Sequence, residues 1–161
     1  MSDSRDIVML PVGFVRAERR EAEDDFWGGS TASIELIPGA DPESLVGIES
    51  FSHAEILFVF DRVAPEQVVV GARHPRNRTA WPRVGIFAQR GKSRPNRIGS
   101  TIVRVVRREG TRLVVAELDA IDGTPVLDIK PVMQEFLPRE PVTQPAWATE
   151  LMRDYWRAGT R

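Results

Sequence analysis

The sequence predicts an all-β fold, either a sandwich or a barrel, that is followed by one helix. Short apolar stretches rich in β-branched residues recur along the 161 residues, and turn signals separate them. Helical spacing of apolar residues is confined to the tail of the chain. With 42% hydrophobic residues the chain can bury a core without disulfides or metals, so we expect one domain over residues 1–161.

Eight stretches are predicted as strands: 8–16, 32–37, 54–61, 67–72, 84–88, 98–107, 112–118 and 125–129. The sixth and seventh are joined by a hairpin turn in which Gly110 supplies a positive φ. Residues 73–82 are predicted as a loop because Pro and Asn interrupt them. Within residues 145–157, Trp147, Leu151 and Tyr155 recur every four residues, which predicts a helix with one apolar stripe that docks on the sheet.

Charge is distributed unevenly along the chain. Residues 1–61 hold 13 Asp and Glu against 4 Arg, whereas residues 73–112 hold 11 Arg and Lys92 against Glu109 alone. So basic a segment in a nearly neutral protein predicts a face that binds phosphates or carboxylates. The alternative is that these arginines lie on solvated strands and pair with the acidic half of the chain.

Several functional classes are excluded by residues that are missing. There is no cysteine, which excludes a disulfide framework, a thiolate zinc site and a cysteine nucleophile. No two of the 12 glycines are separated by one residue, and neither a Rossmann fingerprint nor a Walker loop is present. His53 and His74 are too far apart for a helical metal pair, so we expect no metal. The polar start and the lack of an apolar run of about 18 residues predict a soluble, cytoplasmic protein that does not enter a membrane.

Two motifs carry the candidate chemistry. The first, VGIFAQRGKSRPNRIGS over residues 84–100, is an apolar strand, a rigid cationic turn and a second strand. Guanidiniums in such a turn can hold a carboxylate in bidentate fashion, and Asn96 can hydrogen-bond a base or ribose edge. The second, LDAIDGTPVLDIKP over residues 118–131, offers Asp119, Asp122 and Asp128 as acceptors for hydroxyl or amino groups. For Asp122 we favour a structural role at the Asp122-Gly123 turn.

These two motifs, together with ESFSH and ILFVF over residues 49–60, resemble the TrmO family, also called TsaA-like or YaeB-like proteins. The resemblance covers roughly residues 7–136 in the same order. It implies a small β-barrel that forms a homodimer, binds S-adenosylmethionine and methylates N6 of threonylcarbamoyladenosine beside the anticodon of tRNA. Four residues depart from the family's usual choice: Gly91 replaces Ser or Ala, Arg97 replaces Pro, Glu55 replaces an aromatic residue and Val132 replaces Tyr.

The resemblance also implies positions for the site. Cofactor contacts fall at Asp25, Phe26, Trp27, Asp61, Arg62, Arg90, Ser100, Leu118 and Asp119. Arg94 and Asn96 border the cofactor or the acceptor, and Arg76, Arg78 and Arg97 of the basic segment are the predicted contacts to the acceptor's phosphates. An adenine nitrogen that carries a carbamoyl group needs help in losing its proton, and Asp128 is the candidate base, with Asp119 second.

Two other functions are compatible with the sequence. One is a methyltransferase for a small molecule or for another nucleoside, which the altered Arg97 and Val132 favour. The other is a non-catalytic nucleic-acid-binding barrel. Phe87 and Trp81 are the aromatic residues of the basic segment that could stack on bases, and so few of them count against a general single-strand binder.

Overall fold

A computed structural model describes residues 5–159. Its strands are β1 Gly13–Ala17, β2 Thr31–Leu36, β3 His53–Val59, β4 Ala72–Arg73, β5 Val84–Gly85, β6 Ile98–Glu109, β7 Arg112–Ala116 and β8 Pro125–Pro131, and its α-helix is α1 Ala146–Leu151. Six strands close an antiparallel barrel in the order β1-β2-β7-β6-β3-β8, and β4 pairs with β5 alone. The predicted all-β fold with a barrel is confirmed.

The barrel interior is filled by the alternating apolar residues of its strands. In β3, Ala54, Ile56 and Phe58 are buried while the residues between them are not, as a strand with one face inward requires. Gly99 on β6 makes room for this packing, because a Cβ there would lie 2.4 Å from the ring of Phe58. Each fully buried Val, Leu, Ile or Phe contributes about 1.5–3 kcal/mol, so this interior holds the fold together.

Strand β6 has different partners along its two halves. Residues 98–104 pair with β3, and residues 104–109 pair with β7. Strand β7 ends at Ala116, where the next residue, Glu117, adopts a positive φ of 64°. The first half of β6 therefore has one edge that no strand of the barrel covers, and the candidate site lies along this edge.

Between β3 and β6 the chain leaves the barrel, and we call residues 60–97 the cationic lobe. It contains β4, β5 and four 3-10 turns, Pro65–Gln67, Pro75–Asn77, Ile86–Ala88 and Pro95–Arg97. Eight arginines and Lys92 lie in the lobe, against the two acidic residues Asp61 and Glu66. Val59 and Ile98 are opposite each other in the barrel ladder, so the lobe begins and ends at neighbouring strands.

Three predicted strands are corrected by the structure. The first begins at Gly13 rather than at residue 8. Strand β2 ends at Leu36, opposite Gly13, and the pairing of β1 with β8 stops at Val126 although β8 continues to Pro131, so residues 7–10 have no partner strand and remain exposed. Of stretch 67–72 only Ala72 lies in a strand, and stretch 84–88 turns into a 3-10 helix after Gly85. The hairpin between β6 and β7 is confirmed, with Gly110 at a φ of 61°.

The predicted helix over residues 145–157 is also too long. Helix α1 ends at Leu151, and the following residues turn so that their carbonyl oxygens point toward residues 26–28. The backbone N–H groups of Phe26, Trp27 and Gly28 donate to Asp154, Tyr155 and Arg157 at 3.1, 2.8 and 3.2 Å. The tail therefore contacts the loop before β2 through backbone hydrogen bonds, and the prediction of one helical apolar stripe over residues 145–157 is wrong beyond Leu151.

Candidate functional site

A cluster of polar side chains lies along the uncovered edge of β6. Asp119, in the loop after β7, accepts hydrogen bonds on one carboxylate oxygen from the hydroxyl of Thr101 and on the other from the hydroxyl of Tyr155. Ser100, the residue before Thr101 on β6, accepts a hydrogen bond at its carbonyl oxygen from the guanidinium of Arg90. We call Arg90, Ser100, Thr101, Asp119 and Tyr155 the Asp119 cluster.

The cluster joins four separate parts of the chain, one of which is the loop after β7 that carries Asp119. Arg90 belongs to the cationic lobe, Ser100 and Thr101 belong to β6, and Tyr155 belongs to the docked tail. Burial raises the pKa of the Tyr155 hydroxyl above its ordinary value of 10.0, and the charge and hydrogen bond of Asp119 raise it further. The positive charges of Arg90 and Arg76 act on this pKa in the opposite direction. Tyr155 is therefore a neutral donor to the carboxylate at physiological pH.

The turn that carries Arg90 is held rigid by its own side chains. Arg94 donates to the carbonyl oxygen of Gln89 at 2.6 Å, and Arg97 donates to that of Val63 at the same distance. Asn96 and Arg97 both adopt positive φ values, 61° and 53°, directly after Pro95. Arg94 and Arg97 thus use guanidinium N–H groups in hydrogen bonds to the backbone of the lobe. Asn96 remains exposed at the tip of the turn.

The predicted cofactor segment, residues 25–27, is fixed by the tail and by Arg19. The Arg19 guanidinium donates to the carbonyl oxygens of Asp25 and Phe26 and lies 3.8 Å from the centre of the Trp27 ring. Trp27 is buried, so its side chain stabilises the fold. Phe26 has a positive φ of 66° and a partly exposed ring, which leaves it as the aromatic surface of this segment.

Arg76 and Asp25 were predicted for different ligands, and the structure brings them together. Two guanidinium nitrogens of Arg76 donate to the two carboxylate oxygens of Asp25 at 3.0 and 2.8 Å. The side chains are only 18% and 23% exposed. A bidentate pair of this kind occupies the groups that a phosphate or a cofactor would need. It also ties the cationic lobe to residues 24–28.

The remaining predicted cofactor residues are dispersed. Leu118 is buried in the core, so only its backbone can face a ligand. Asp61 and Arg62 are exposed at the start of the lobe, and Arg62 donates to the carbonyl oxygen of Arg20 at 2.8 Å. Asp122 accepts the backbone N–H of Ala17 at 3.1 Å, which is the structural role expected for it.

The predicted base Asp128 lies on β8 opposite Leu57, which is itself opposite Ser100. One carboxylate oxygen accepts the backbone N–H of Ile129 at 2.9 Å, and the other lies 2.6 Å from the ammonium of Lys130. The hydrogen bond from Lys130 to Asp128 raises the pKa of Lys130, and the charge of Asp128 raises it further. Asp128 thus lies on the outer face of the barrel with both side-chain oxygens in contact with donors.

The basic segment contains both paired and unpaired side chains. On the barrel, Arg107 and Arg112 lie beside Glu109, and Arg108 pairs with Glu49. Within residues 5–159, Arg78, Arg83 and Lys92 of the cationic lobe make no ion pair. The lobe thus holds these three cations without an acidic partner in the described chain, whereas Arg107, Arg108 and Arg112 on the barrel each have one.

Sequence reasoning missed Thr101 and Tyr155 as members of the site. Tyr155 was noticed as part of an apolar stripe, but its hydroxyl is what reaches Asp119. A signal was available in Thr101, a polar residue at an inward position of β6 between Gly99 and Val103. Buried hydroxyls need partners, and such a position favours a polar contact at the end of the barrel.

Other features of the described chain lie apart from this cluster. An open groove of about 620 Å³ on the outer face of β1, β2, β6 and β7 contains none of the predicted cofactor residues. Over residues 5–159 no helix is both long enough and apolar enough to cross a bilayer. In the same range no three His, Cys, Asp or Glu side chains are grouped to hold a metal ion.

The protein is thus an antiparallel β-barrel with a cationic lobe inserted beside a cluster of one carboxylate and two hydroxyl groups. Residues 23–136 match the family model of the tRNA-methyltransferase O N-terminal domain, and the chain belongs to this family. The crystal structure of TrmO from P. aeruginosa superimposes with a TM-score of 0.73 at 27% identity, covering 91% of this chain and 64% of that one.

Proteins similar in sequence are named S-adenosylmethionine-binding proteins or tRNA methyltransferases. A probable S-adenosyl-L-methionine-binding protein of Pyrococcus abyssi is 35% identical over 141 residues, which are 84% of this chain and 73% of that protein. A tRNA (adenine(37)-N6)-methyltransferase of Escherichia coli is 37% identical over 106 residues, 61% of this chain and 43% of that protein. The human enzyme of the same name is 40% identical over 106 residues, 65% of this chain and 24% of that protein.

Proposed function

We propose that this protein transfers the methyl group of S-adenosylmethionine to N6 of an adenosine beside the anticodon of tRNA. The observation that carries the proposal is the position of Arg90, which belongs to the cationic lobe and donates to Ser100 at the Asp119 cluster. A polyanion attracted to the lobe is thereby delivered to the residues predicted to hold the cofactor. Membership of the family and the names of the relatives agree with this assignment.

The donor set fits the cofactor chemically. S-adenosylmethionine supplies an electrophilic methyl group and presents a carboxylate, ribose hydroxyls and an adenine ring. Arg90 would hold the carboxylate, Asp119 would accept from hydroxyl or amino groups, and the exposed ring of Phe26 would contact the adenine. Asp25 can contact the cofactor only if its hydrogen bonds with Arg76 are broken. We therefore propose that the Arg76–Asp25 pair has a structural role and connects the cationic lobe to residues 24–28.

The reaction needs in-line placement of the acceptor nitrogen and a group that takes its proton. Good positioning can lower a barrier by roughly 7–11 kcal/mol. Asp119, held by Thr101 and Tyr155, is fixed well enough to orient a ligand. We propose that Asp128, which can release Lys130 to solvent, accepts the proton from N6, while Asp119 positions the cofactor.

For the tRNA we propose phosphate contacts on the cationic lobe. Arg78 and Arg83 are exposed and make no ion pair within residues 5–159, in contrast to Arg76. Asn96 at the tip of the turn is placed to contact a base or ribose edge, and Arg94 and Arg97 hold the turn in shape. Contacts of this kind predict binding that weakens steeply with salt.

We further propose a homodimer that acts in the cytoplasm. The resemblance implies the dimer, and exposed apolar side chains on the outer face of β6, such as Ile102 and Val106, supply surface that a second copy could cover. Light scattering at micromolar concentration tests it. A monomer that methylates its substrate would show that one chain contains a complete site.

The proposed function is tested by methyl incorporation into tRNA from cells that lack the native activity. Purified protein and labelled S-adenosylmethionine should yield an N6-methylated adenosine, identified by mass spectrometry of the digested tRNA. Arg90→Ala should abolish incorporation at low cofactor concentration, and Arg16→Ala, on the outer face of β1, serves as the matched control. No incorporation with cofactor demonstrably bound contradicts the proposal and favours a small-molecule acceptor.

A further inference from the structure

The most exposed aromatic side chain of the cationic lobe is Phe87, with 77% of its surface accessible. The other aromatic residue of the basic segment, Trp81, is only 5% exposed and has Arg78 above its ring at 5.1 Å. Of the two aromatic residues that could stack on bases from this segment, the structure leaves Phe87 alone accessible.

Phe87 is presented by a rigid turn. It is the middle residue of the 3-10 helix Ile86–Ala88, and Ile86 before it is buried, with its N–H donating to the carbonyl oxygen of Gly71 at 2.8 Å. After it, the buried side chain of Gln89 donates to the carbonyl oxygens of Arg73 and Val84 at 3.1 and 2.9 Å. The backbone on both sides of Phe87 is anchored, so this segment needs little further ordering when a ligand binds.

The surroundings of Phe87 match one kind of ligand. Arg83 and Arg90 precede and follow it within four residues, and the lobe has nine Lys and Arg against two acidic residues. An isolated exposed ring among unpaired cations suits an unpaired nucleobase, whose flat face stacks on the ring while its phosphates face the guanidiniums. Charge of one sign around the ring opposes a contact between two copies of this face.

We propose that Phe87 stacks on an unpaired base of the RNA loop next to the adenosine that is methylated. This inference rests on the proposed function and specifies how the acceptor is held. Phe87 is a positioning residue, because it touches a neighbouring nucleotide and not the reacting atoms.

The test is equilibrium binding of an anticodon stem-loop RNA to the cofactor-loaded protein. Phe87→Ala should weaken binding about 5- to 150-fold and leave the slope of log affinity against log salt unchanged, because no phosphate contact is lost. Phe87→Trp should retain most of the affinity, and Phe87→Leu should behave like Phe87→Ala. Phe136→Ala removes a ring that is 86% exposed outside the lobe and should change nothing. Cofactor affinity should be the same in all four variants.

A double-mutant cycle identifies the stacked base. Abasic nucleotides are placed one at a time in the loop, and the one that removes the partner of Phe87 should abolish the effect of Phe87→Ala. Wild-type affinity in Phe87→Ala, or no coupling to any loop position, would overturn the inference. A change of oligomeric state in Phe87→Ala would also overturn it and assign the ring to a contact between copies. Binding with these couplings but without methyl transfer would contradict the proposed function alone, and a wild type that binds no RNA would contradict both.

Discussion

Replacing Gly28 by alanine should release the tail from the barrel. A Cβ at position 28 would lie 2.0 Å from the carbonyl oxygen of Trp156 and 2.8 Å from its carbonyl carbon, and both are backbone atoms that cannot rotate away. The tail must move, and with it go the three hydrogen bonds from residues 26–28 to residues 154–157. At about 0.5–1.5 kcal/mol each, their loss predicts a fall of about 1.5–4.5 kcal/mol in the free energy of unfolding.

The measurement is urea unfolding together with amide hydrogen exchange. Gly28→Ala should unfold at lower urea concentration, and the amides of Phe26 and Trp27 should lose protection in the native protein. Gly71→Ala is the matched control, because its Cβ would meet nothing within 4 Å and its φ is not positive. Gly28→Ala with wild-type stability and protected amides at 26 and 27 would refute the reasoning.

Three further results are expected. Tyr155 is the single tyrosine, so ultraviolet absorbance during an alkaline titration reports on tyrosinate formation at this residue alone. Tyrosinate should form well above pH 10 in the folded protein and near pH 10 in the denatured protein. Equal midpoints of the two titrations would contradict the contact with Asp119. Because the folded pKa is raised, the stability that Tyr155 contributes is complete below pH 10 and declines as pH rises beyond it. Arg90→Ala should weaken cofactor binding by about 1.5–3 kcal/mol, measured by calorimetry against Arg16→Ala, and unchanged affinity in the folded variant would remove Arg90 from the site. Asp128→Asn should lower kcat about 10²- to 10⁴-fold with cofactor affinity retained, whereas a loss of affinity without a loss of kcat would reassign the residue to binding.

Strands and turns were predictable from the sequence where a residue pattern is compatible with only one local structure. Alternation in residues 54–58 identifies a strand with one buried face, and Gly110 identifies the hairpin that follows β6. The strand ends were not predictable from propensity. Residues 8–12 have the composition of a strand, but β2 ends opposite Gly13 and β8 stops pairing with β1 at Val126. Where these pairings stop is encoded far away in the sequence.

The sequence selected some of the residues that the structure brings together in the candidate site. Arg90, Ser100 and Asp119 were selected by the resemblance, and the first two are in direct contact. The pairing of Arg76 with Asp25 was not foreseeable, because 51 residues separate them and either could have faced a ligand. The contact between Tyr155 and Asp119 was not predictable for a different reason. The helical spacing of the tail predicts which side of the tail is apolar, but it does not predict the hydrogen-bond partner of the Tyr155 hydroxyl.

The cationic lobe is, in topological terms, one long loop. It leaves the barrel after Val59 and returns at Ile98, and these two residues are partners in the same ladder. Lengthening such a loop costs only about 0.6 kcal/mol per doubling, so the lobe could be exchanged for another without altering the barrel register. A loop grafted between these two fixed ends would leave the barrel strands and the Asp119–Tyr155 contact as they are, but it would have to supply again the contacts that Arg90 and Arg76 make with Ser100 and Asp25.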